Sequence, residues 1–301
     1  MRRENDMLWK GVLERVFDDF LRFVFPQVDE VLDLERGFQF LDKELIEIYP
    51  EAEKASSTRH VDKLVRVYEK NGAEKYVLVH VEVQGYPDKE FALRMFEYSY
   101  RVLDRYKKRM TAIAIFTGAD GAGMPDRYED EFLGTSHVYR YNTLRITDYP
   151  DQVLKDSDNP FAVVLLAAKK ALLEGKIPEM ELKDQKLLVA KLLYGKGFFG
   201  KEKINGILIF LNNYVRLKGK EINRIFNSEL DQYTGKLHTM DILEQVKELK
   251  IEEAREEGRT EEKVNTVRIL LKSTDFPVAK IADLVGMPVP FVEEVKADKK
   301  A

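Results

Sequence analysis

The chain has 301 residues, 44% hydrophobic and 34% charged, which is the composition of a globular protein with a highly charged surface. It contains no cysteine, which excludes disulfide bonds, cysteine metal ligands and cysteine nucleophiles. The formal net charge of −4 provides no global positive field, so binding to nucleic acid would require a local basic patch.

The N-terminus is charged and lacks the apolar stretch of a secretory signal. The longest apolar run, residues 161–168, is too short to cross a bilayer. The absence of cysteine agrees with a reducing compartment. We therefore expect a cytoplasmic protein with no membrane partner.

The first predicted element is a helix over residues 7–25, whose apolar residues recur at helical spacing. Glu14 on this helix is either a metal ligand or, as we favour, a solvated charge on the polar face. A strand is predicted over residues 38–48 from its loose alternation. On that strand we interpret Glu44 as half-solvated and leave open whether Asp42 adds an outer metal ligand.

The central feature is a predicted β-hairpin, because an Asn-Gly dipeptide between β-rich runs is a strong hairpin signal. With a three-residue loop over residues 71–73, Lys70 would pair with Glu74. Asp62 would then lie directly opposite Glu82, roughly 5 Å away. A two-residue loop would instead put the two acids on opposite faces of the sheet.

Two carboxylates that close repel each other unless a cation lies between them. Asp62 and Glu82, with Gln84 one pleat further along the second strand, would form an oxygen-rich site suited to Mg²⁺. The predicted metal site therefore depends on the register of the hairpin.

This arrangement resembles the PD-(D/E)XK nuclease core, in which one strand carries Asp and the next carries Glu-x-Lys. Here Asp62 is followed by nineteen intervening residues and then by Glu82-Val83-Gln84. The flanking segments resemble one branch of it, the family named recombination-promoting nuclease/putative transposase. They are DMLWKGVLERVFDDFLRFVFP, FLDKEL, HVEVQ followed by FALRMFEYSYRVLDRY, and KIADLVGMPVPFVEEV.

The resemblance implies a restriction-endonuclease-like α/β fold, a mixed sheet core flanked by helices. It implies Mg²⁺ or Mn²⁺ held by Asp62, Glu82 and the carbonyl of Val83, with Asp62, Glu82 and Gln84 as catalytic residues acting on DNA. Val61 replaces the Pro that names the superfamily, and Gln84 replaces the usual Lys. Because Gln cannot supply positive charge, a non-catalytic nuclease-fold protein that binds DNA or protein is the alternative.

A helix rich in aromatic and basic residues is predicted over residues 89–108. Arg94 and Tyr98 lie one turn apart on it. The resemblance places both on the face towards the site, where Arg94 could hold a phosphate bidentately. A structural salt bridge is the open alternative for Arg94.

The next predicted strand covers residues 110–117 and is apolar enough to be buried. The glycine-rich loop after it, residues 118–123, lacks the Gly-Lys-Ser/Thr of a P-loop, so we assign no nucleotide. A further strand is predicted over residues 136–146, with His137 in a structural role.

These elements predict three segments. Residues 1–150 form a nuclease-like domain, and residues 151–240 form a helical region that is a support or dimerisation surface, which adds a homodimer to DNA as an expected partner. Residues 241–301 form a charged helix and an all-helical C-terminal unit. That unit resembles a helix-turn-helix, but its last helix carries Glu293-Glu294, so we favour packing or protein contacts over DNA binding.

Overall fold

The computed structural model describes residues 2–41, 61–82, 89–118, 123–197, 199–234, 264–274, 276–285 and 289–297. The chain divides into two compact units, Met1–Thr239 and Met240–Ala301. The predicted segments 1–150 and 151–240 lie together in the first unit. The predicted charged helix, which begins at residue 241, lies outside the described residues as far as residue 263.

The first unit contains both helices and strands up to residue 145, and its described elements after that residue are all helical. Its helices are α1 (Arg2–Arg15), α2 (Phe17–Val24), α3 (Val28–Val31), α4 (Phe91–Tyr106), α5 (Asp151–Asp156), α6 (Pro160–Ala171), α7 (Glu179–Gly195), α8 (Lys201–Tyr214) and α9 (Lys220–Thr234). Its strands are β1 (Gln39–Phe40), β2 (Val61–Tyr68), β3 (Glu74–Glu82), β4 (Met110–Phe116), β5 (Arg127–Phe132), β6 (Thr135–Arg140) and β7 (Asn142–Arg145).

The helix predicted over residues 7–25 is two helices, α1 and α2. Val16 separates them because its backbone is not helical, with φ −128° and ψ 30°. The break lets the two helices pack in different places. Trp9 contacts Phe210 with ring centroids 5.1 Å apart, and Phe20 contacts Phe161 at 5.0 Å.

The main sheet has five strands in the order β1-β2-β3-β4-β7. The β1–β2 and β2–β3 pairs are antiparallel, whereas β3–β4 and β4–β7 are parallel. The predicted mixed sheet flanked by helices is therefore confirmed. The strand predicted over residues 136–146 divides into β6 and β7, which belong to different sheets, and β6 pairs with the unpredicted β5.

The main sheet has two buried faces with different contents. The buried even-numbered side chains that the structure describes on β2, β3 and β4 pack against α4, and we call this side the α4 face; they are Leu64, Tyr76, Ala112, Ala114 and Phe116, and their partners on the helix are Phe91, Met95, Tyr98 and Val102. The described odd-numbered side chains point to the other side, where Lys63 contacts α1, and we call this the α1 face. Its buried sheet members are Lys63, Val65, Val67, Val77, Ile113 and Ile115.

The second unit has three described helices, α10 (264–273), α11 (Val278–Val285) and α12 (Val289–Ala297). They enclose a small apolar core formed by Val267, Ile281, Ala282, Val292 and Val295. This confirms the predicted helical C-terminal region, while its role in protein contacts stays a prediction. Across the described ranges, no helix combines the length and the apolar character needed to cross a membrane.

Candidate functional site

The hairpin between β2 and β3 turns through a three-residue loop, Lys70-Asn71-Gly72. The loop is closed by the amide of Glu69, which donates to the carbonyl of Ala73 at 2.8 Å. Asn71 Oδ1 accepts a hydrogen bond from the amide of Ala73 at 2.9 Å. Gly72 has φ +85°, the left-handed conformation that ends loops of this length.

The loop has the predicted length but begins one residue earlier than predicted. A loop over residues 71–73 would require the left-handed conformation at Ala73, which a residue with a Cβ resists and Gly72 accepts. As a result Asp62 pairs with His80. The prediction that Asp62 lies directly opposite Glu82 is therefore wrong.

The observed loop moves the partner of Asp62 by two residues along β3, from Glu82 to His80. Because a strand alternates with a period of two, the two acids still lie on the same face. Positions 62, 80 and 82 share one face of the hairpin. Positions 62 and 82 are diagonal neighbours, which lie roughly 7–8 Å apart in an antiparallel pair. Position 80, a histidine, lies directly opposite Asp62. Sequence reasoning did not single out His80, although strand alternation already put it on the same face as Glu82.

The register with β4 identifies the face of these positions. Position 80 aligns with Ala114 and position 82 aligns with Phe116 in the parallel β3–β4 pair. Both Ala114 and Phe116 belong to the cluster that packs against α4. Positions 62, 80 and 82 therefore lie on the α4 face.

Arg94 and Tyr98 occupy different environments on α4. Tyr98 is 1% exposed and belongs to the core cluster of the α4 face. Arg94 is partly buried, with its Nε and Nη2 atoms shielded from solvent and its Cζ 5.7 Å from the ring centroid of Phe91. The Phe91 ring contacts Phe116, with centroids 5.4 Å apart. The Phe91 ring therefore links Arg94 to Phe116, the residue aligned with position 82.

A second arginine lies beside the same ring. Arg145 on β7 aligns with Phe116 and places its Cζ 5.5 Å from the Phe116 ring centroid. Its Nη2 donates to the carbonyl of Met124 at 3.0 Å. One aligned row therefore crosses the neighbouring strands β3, β4 and β7, at positions 82, 116 and 145. Sequence reasoning missed Arg145 because its position depends on a parallel pairing with β4 that no local motif announces.

The opposite side of β2 contains an ion pair between a buried lysine and an exposed glutamate. Lys63 is 0% exposed, and its Nζ lies 2.6 Å from Oε1 of Glu14, whose side chain is 47% exposed. The Lys63 ammonium also lies 4.7 Å from the ring centroid of Phe40. Because Lys63 and Asp62 are consecutive, Glu14 lies on the α1 face and position 62 on the α4 face. Glu14 is exposed, as the solvated-charge interpretation predicted, and it also neutralises Lys63; the metal-ligand alternative stays a prediction.

Four predicted positions, Asp42, Glu44, Val83 and Gln84, lie outside the described residues, and their roles stay predictions. Among the side chains that the structure does describe, no three His, Asp or Glu residues are grouped closely enough to hold a metal ion. The candidate site consists of the acidic positions 62 and 82, position 80 as the neighbour of both, and two arginines on the same face. This combination of oxygen donors and guanidinium groups is suited to a divalent cation beside a phosphate.

Residues 5–115 match the model of a protein family described as putative transposase, YhgA-like. The match runs from α1 into β4, so it includes both candidate acids and Arg94 but not Arg145. It supports the similarity to transposase-like proteins, whereas the PD-(D/E)XK assignment has no support from it and stays a prediction. Neither a curated protein nor a solved structure matches the chain.

Proposed function

We propose that this protein is a divalent-metal-dependent DNA endonuclease of the transposase-like type. The observation that carries the proposal is the hairpin register, which keeps positions 62 and 82 on the α4 face together with Arg94 and Arg145. The similarity of residues 5–115 to a transposase family supports DNA as the substrate.

The residues on this face fit a small divalent cation. A diagonal separation of roughly 7–8 Å leaves room for an ion whose oxygen ligands lie about 2.1 Å from it. In our proposal the carboxylates of Asp62 and Glu82 and the carbonyl of Val83 hold Mg²⁺ or Mn²⁺. When bound, such an ion lowers the pKa of a coordinated water and stabilises the negative charge that develops on the phosphate.

The protein's own groups would orient the substrate. The Gln84 amide can accept a hydrogen bond from a water molecule and donate one to a phosphate oxygen. Arg94 and Arg145 add two guanidinium charges beside the rings of Phe91 and Phe116, and guanidinium groups bind phosphate through charge-assisted hydrogen bonds. The apolar cluster beneath them excludes water, which strengthens interactions between these charges.

The test is nicking of supercoiled plasmid by the full chain with Mg²⁺ or Mn²⁺. Asp62→Asn and Glu82→Gln should each lower the rate at least 100-fold, which corresponds to about 2.7 kcal/mol. Glu74→Gln is the matched control, because it removes a carboxylate from the same face of β3 at its other end and should leave the rate unchanged.

Equal nicking by the wild type and the two site variants would overturn the proposal, because the activity would not depend on these acids. The second candidate is a nuclease-fold protein that only binds DNA or protein, favoured by Gln84 in place of Lys and by the net charge of −4. A wild-type chain that shifts DNA on a gel but never nicks it, with or without divalent ions, would establish that candidate.

A further inference from the structure

The β5–β6 hairpin forms a separate two-stranded sheet, which we call the arm. Its base is anchored on α4, where the ring of Tyr128 stacks on Phe96 with centroids 4.9 Å apart. Tyr139 on β6 also lies near Phe96, at 6.1 Å. His137 on β6 lies 5.9 Å from the Phe96 ring as well, although every residue from Glu129 to Val138 is exposed.

The tip of the arm carries two exposed apolar side chains. Phe132 is 71% exposed and Leu133 is 88% exposed. Leu133 and Gly134 form the two-residue turn, with φ +47° and +82°. Turns with positive φ at both positions favour Asn-Gly, and a leucine there is strained and exposes its side chain to water. Neither the turn nor the packing of the arm explains why Leu133 occupies this position, whereas a partner surface would.

The charge of the arm selects the kind of partner. Asp130 and Glu131 are exposed next to the tip, and neither forms an ion pair within the described part of the chain. Acidic side chains beside an apolar tip oppose its insertion into DNA, because they would face phosphates. A partner surface should therefore be apolar with a basic border.

Such a surface exists on the C-terminal end of α4. Tyr100 is 58% exposed and Leu103 is 53% exposed, and their i, i+3 spacing puts them on one side of the helix. Lys108 and Arg109 follow directly, are exposed, and make no ion pair among the described residues. We call this surface the α4 patch.

We propose that two copies of this chain pair reciprocally, with the arm tip of each copy on the α4 patch of the other. Phe132 and Leu133 would cover Tyr100 and Leu103, while Asp130 and Glu131 would face Lys108 and Arg109. Because each copy provides both surfaces, the contact is self-complementary and closes as a twofold dimer. The two surfaces are small, so we expect a dimer that dissociates at micromolar concentration.

The test is sedimentation of the full chain over a concentration series up to about 100 μM, which spans the range of weak dimers. Wild type should show a monomer–dimer equilibrium. Leu133→Asn should raise the dimer dissociation constant at least tenfold and leave the melting temperature unchanged or higher, because asparagine suits the turn. Val153→Asn, at an exposed apolar position on α5, is the matched control and should have no effect.

A charge exchange tests the pairing itself. Glu131→Lys and Lys108→Glu should each weaken the dimer, and the double variant should restore it. A wild-type chain that stays monomeric throughout the series would overturn the proposal, as would a double variant no tighter than the single ones. If Leu133→Asn weakens DNA binding but leaves the sedimenting mass of the protein unchanged, the arm binds DNA and not a second copy of the chain.

Discussion

Lys63 and Arg145 lie on opposite faces of one sheet, and their positive charges have different surroundings. Lys63 is 0% exposed and pairs with the carboxylate of Glu14. Arg145 is partly buried, lies over the ring of Phe116 and donates to a main-chain carbonyl. A buried lysine with a carboxylate partner ties two elements together, whereas an arginine over an aromatic ring at the edge of a core can also bind an anion.

The helical part of the first unit contains a second buried lysine that binds acceptors of the protein itself. Lys186 on α7 is 2% exposed, and its Nζ donates to the carbonyls of Asn212 and Val215 at 3.0 and 2.9 Å. These carbonyls lie at the end of α8, where the helix leaves acceptors without partners of its own. Burial lowers the pKa of Lys186 to about 7, although the carboxylate of Glu174 acts in the opposite direction. In this comparison the two buried lysines bind acceptors of the protein itself, whereas Arg94 and Arg145 are partly buried beside aromatic rings of the α4 face.

The prediction with the largest expected effect concerns the role of Arg145. Arg145→Met should lower plasmid nicking about 100-fold, or about 2.7 kcal/mol, because a phosphate contact is lost. Arg145→Lys should recover only part of the rate, because the charge returns without the fork. Arg140→Met, at an exposed position on β6, is the control and should retain activity. Unchanged rates in both Arg145 variants would restrict Arg145 to a structural role.

The prediction with the next largest effect concerns Lys186 and the pH dependence of the free energy of unfolding. The pKa of Lys186 is lower in the folded state than in the unfolded chain. At a pH between these two pKa values the unfolded chain therefore binds more protons, and the free energy of unfolding should rise with pH in this range. Lys186→Met should remove this rise, which we expect to be about 2 kcal/mol between pH 7.5 and 9.5. The measurement is urea unfolding at several pH values.

Lys183 provides the control for that experiment. It is also buried, and burial lowers its pKa, but hydrogen bonds to Asp184 and Glu229 outweigh burial and raise the pKa above the usual value. Its contribution to stability is lost only at higher pH, so Lys183→Met should leave the slope between pH 7.5 and 9.5 unchanged. Equal slopes in the wild type and Lys186→Met would show that Lys186 does not carry this pH dependence.

The smallest effect concerns the loop that sets the register of both faces. Gly72→Ala should lower the free energy of unfolding by about 1 kcal/mol, because alanine resists a φ of +85°. Gly11→Ala should instead be neutral or stabilising, because Gly11 is exposed inside α1 and a Cβ there meets no neighbour. A Gly72→Ala variant as stable as the wild type would mean that the loop does not select the register.

Local patterns predicted much of the architecture. The Asn-Gly dipeptide located the central hairpin, and alternation in β2 and β3 assigned their residues to two faces. The same patterns failed at β5, whose sequence RYEDEF is mostly exposed and lacks an apolar face. A strand that buries so little apolar surface has no periodic signal, and its pairing with β6 and its contact with Phe96 hold it in place.

The sequence by itself determined that Asp62 and Glu82 share a face once the loop has three residues, because strand alternation is a local property. Local loop chemistry also favours the observed register, because Gly72 accepts the left-handed conformation, and this register puts position 80 opposite position 62. Tertiary structure alone decided that Glu14 neutralises Lys63 on the far side and that Arg145 aligns with Phe116. Both depend on contacts between segments distant in the chain. Such contacts are selected by the packing of the whole core, which no local pattern encodes.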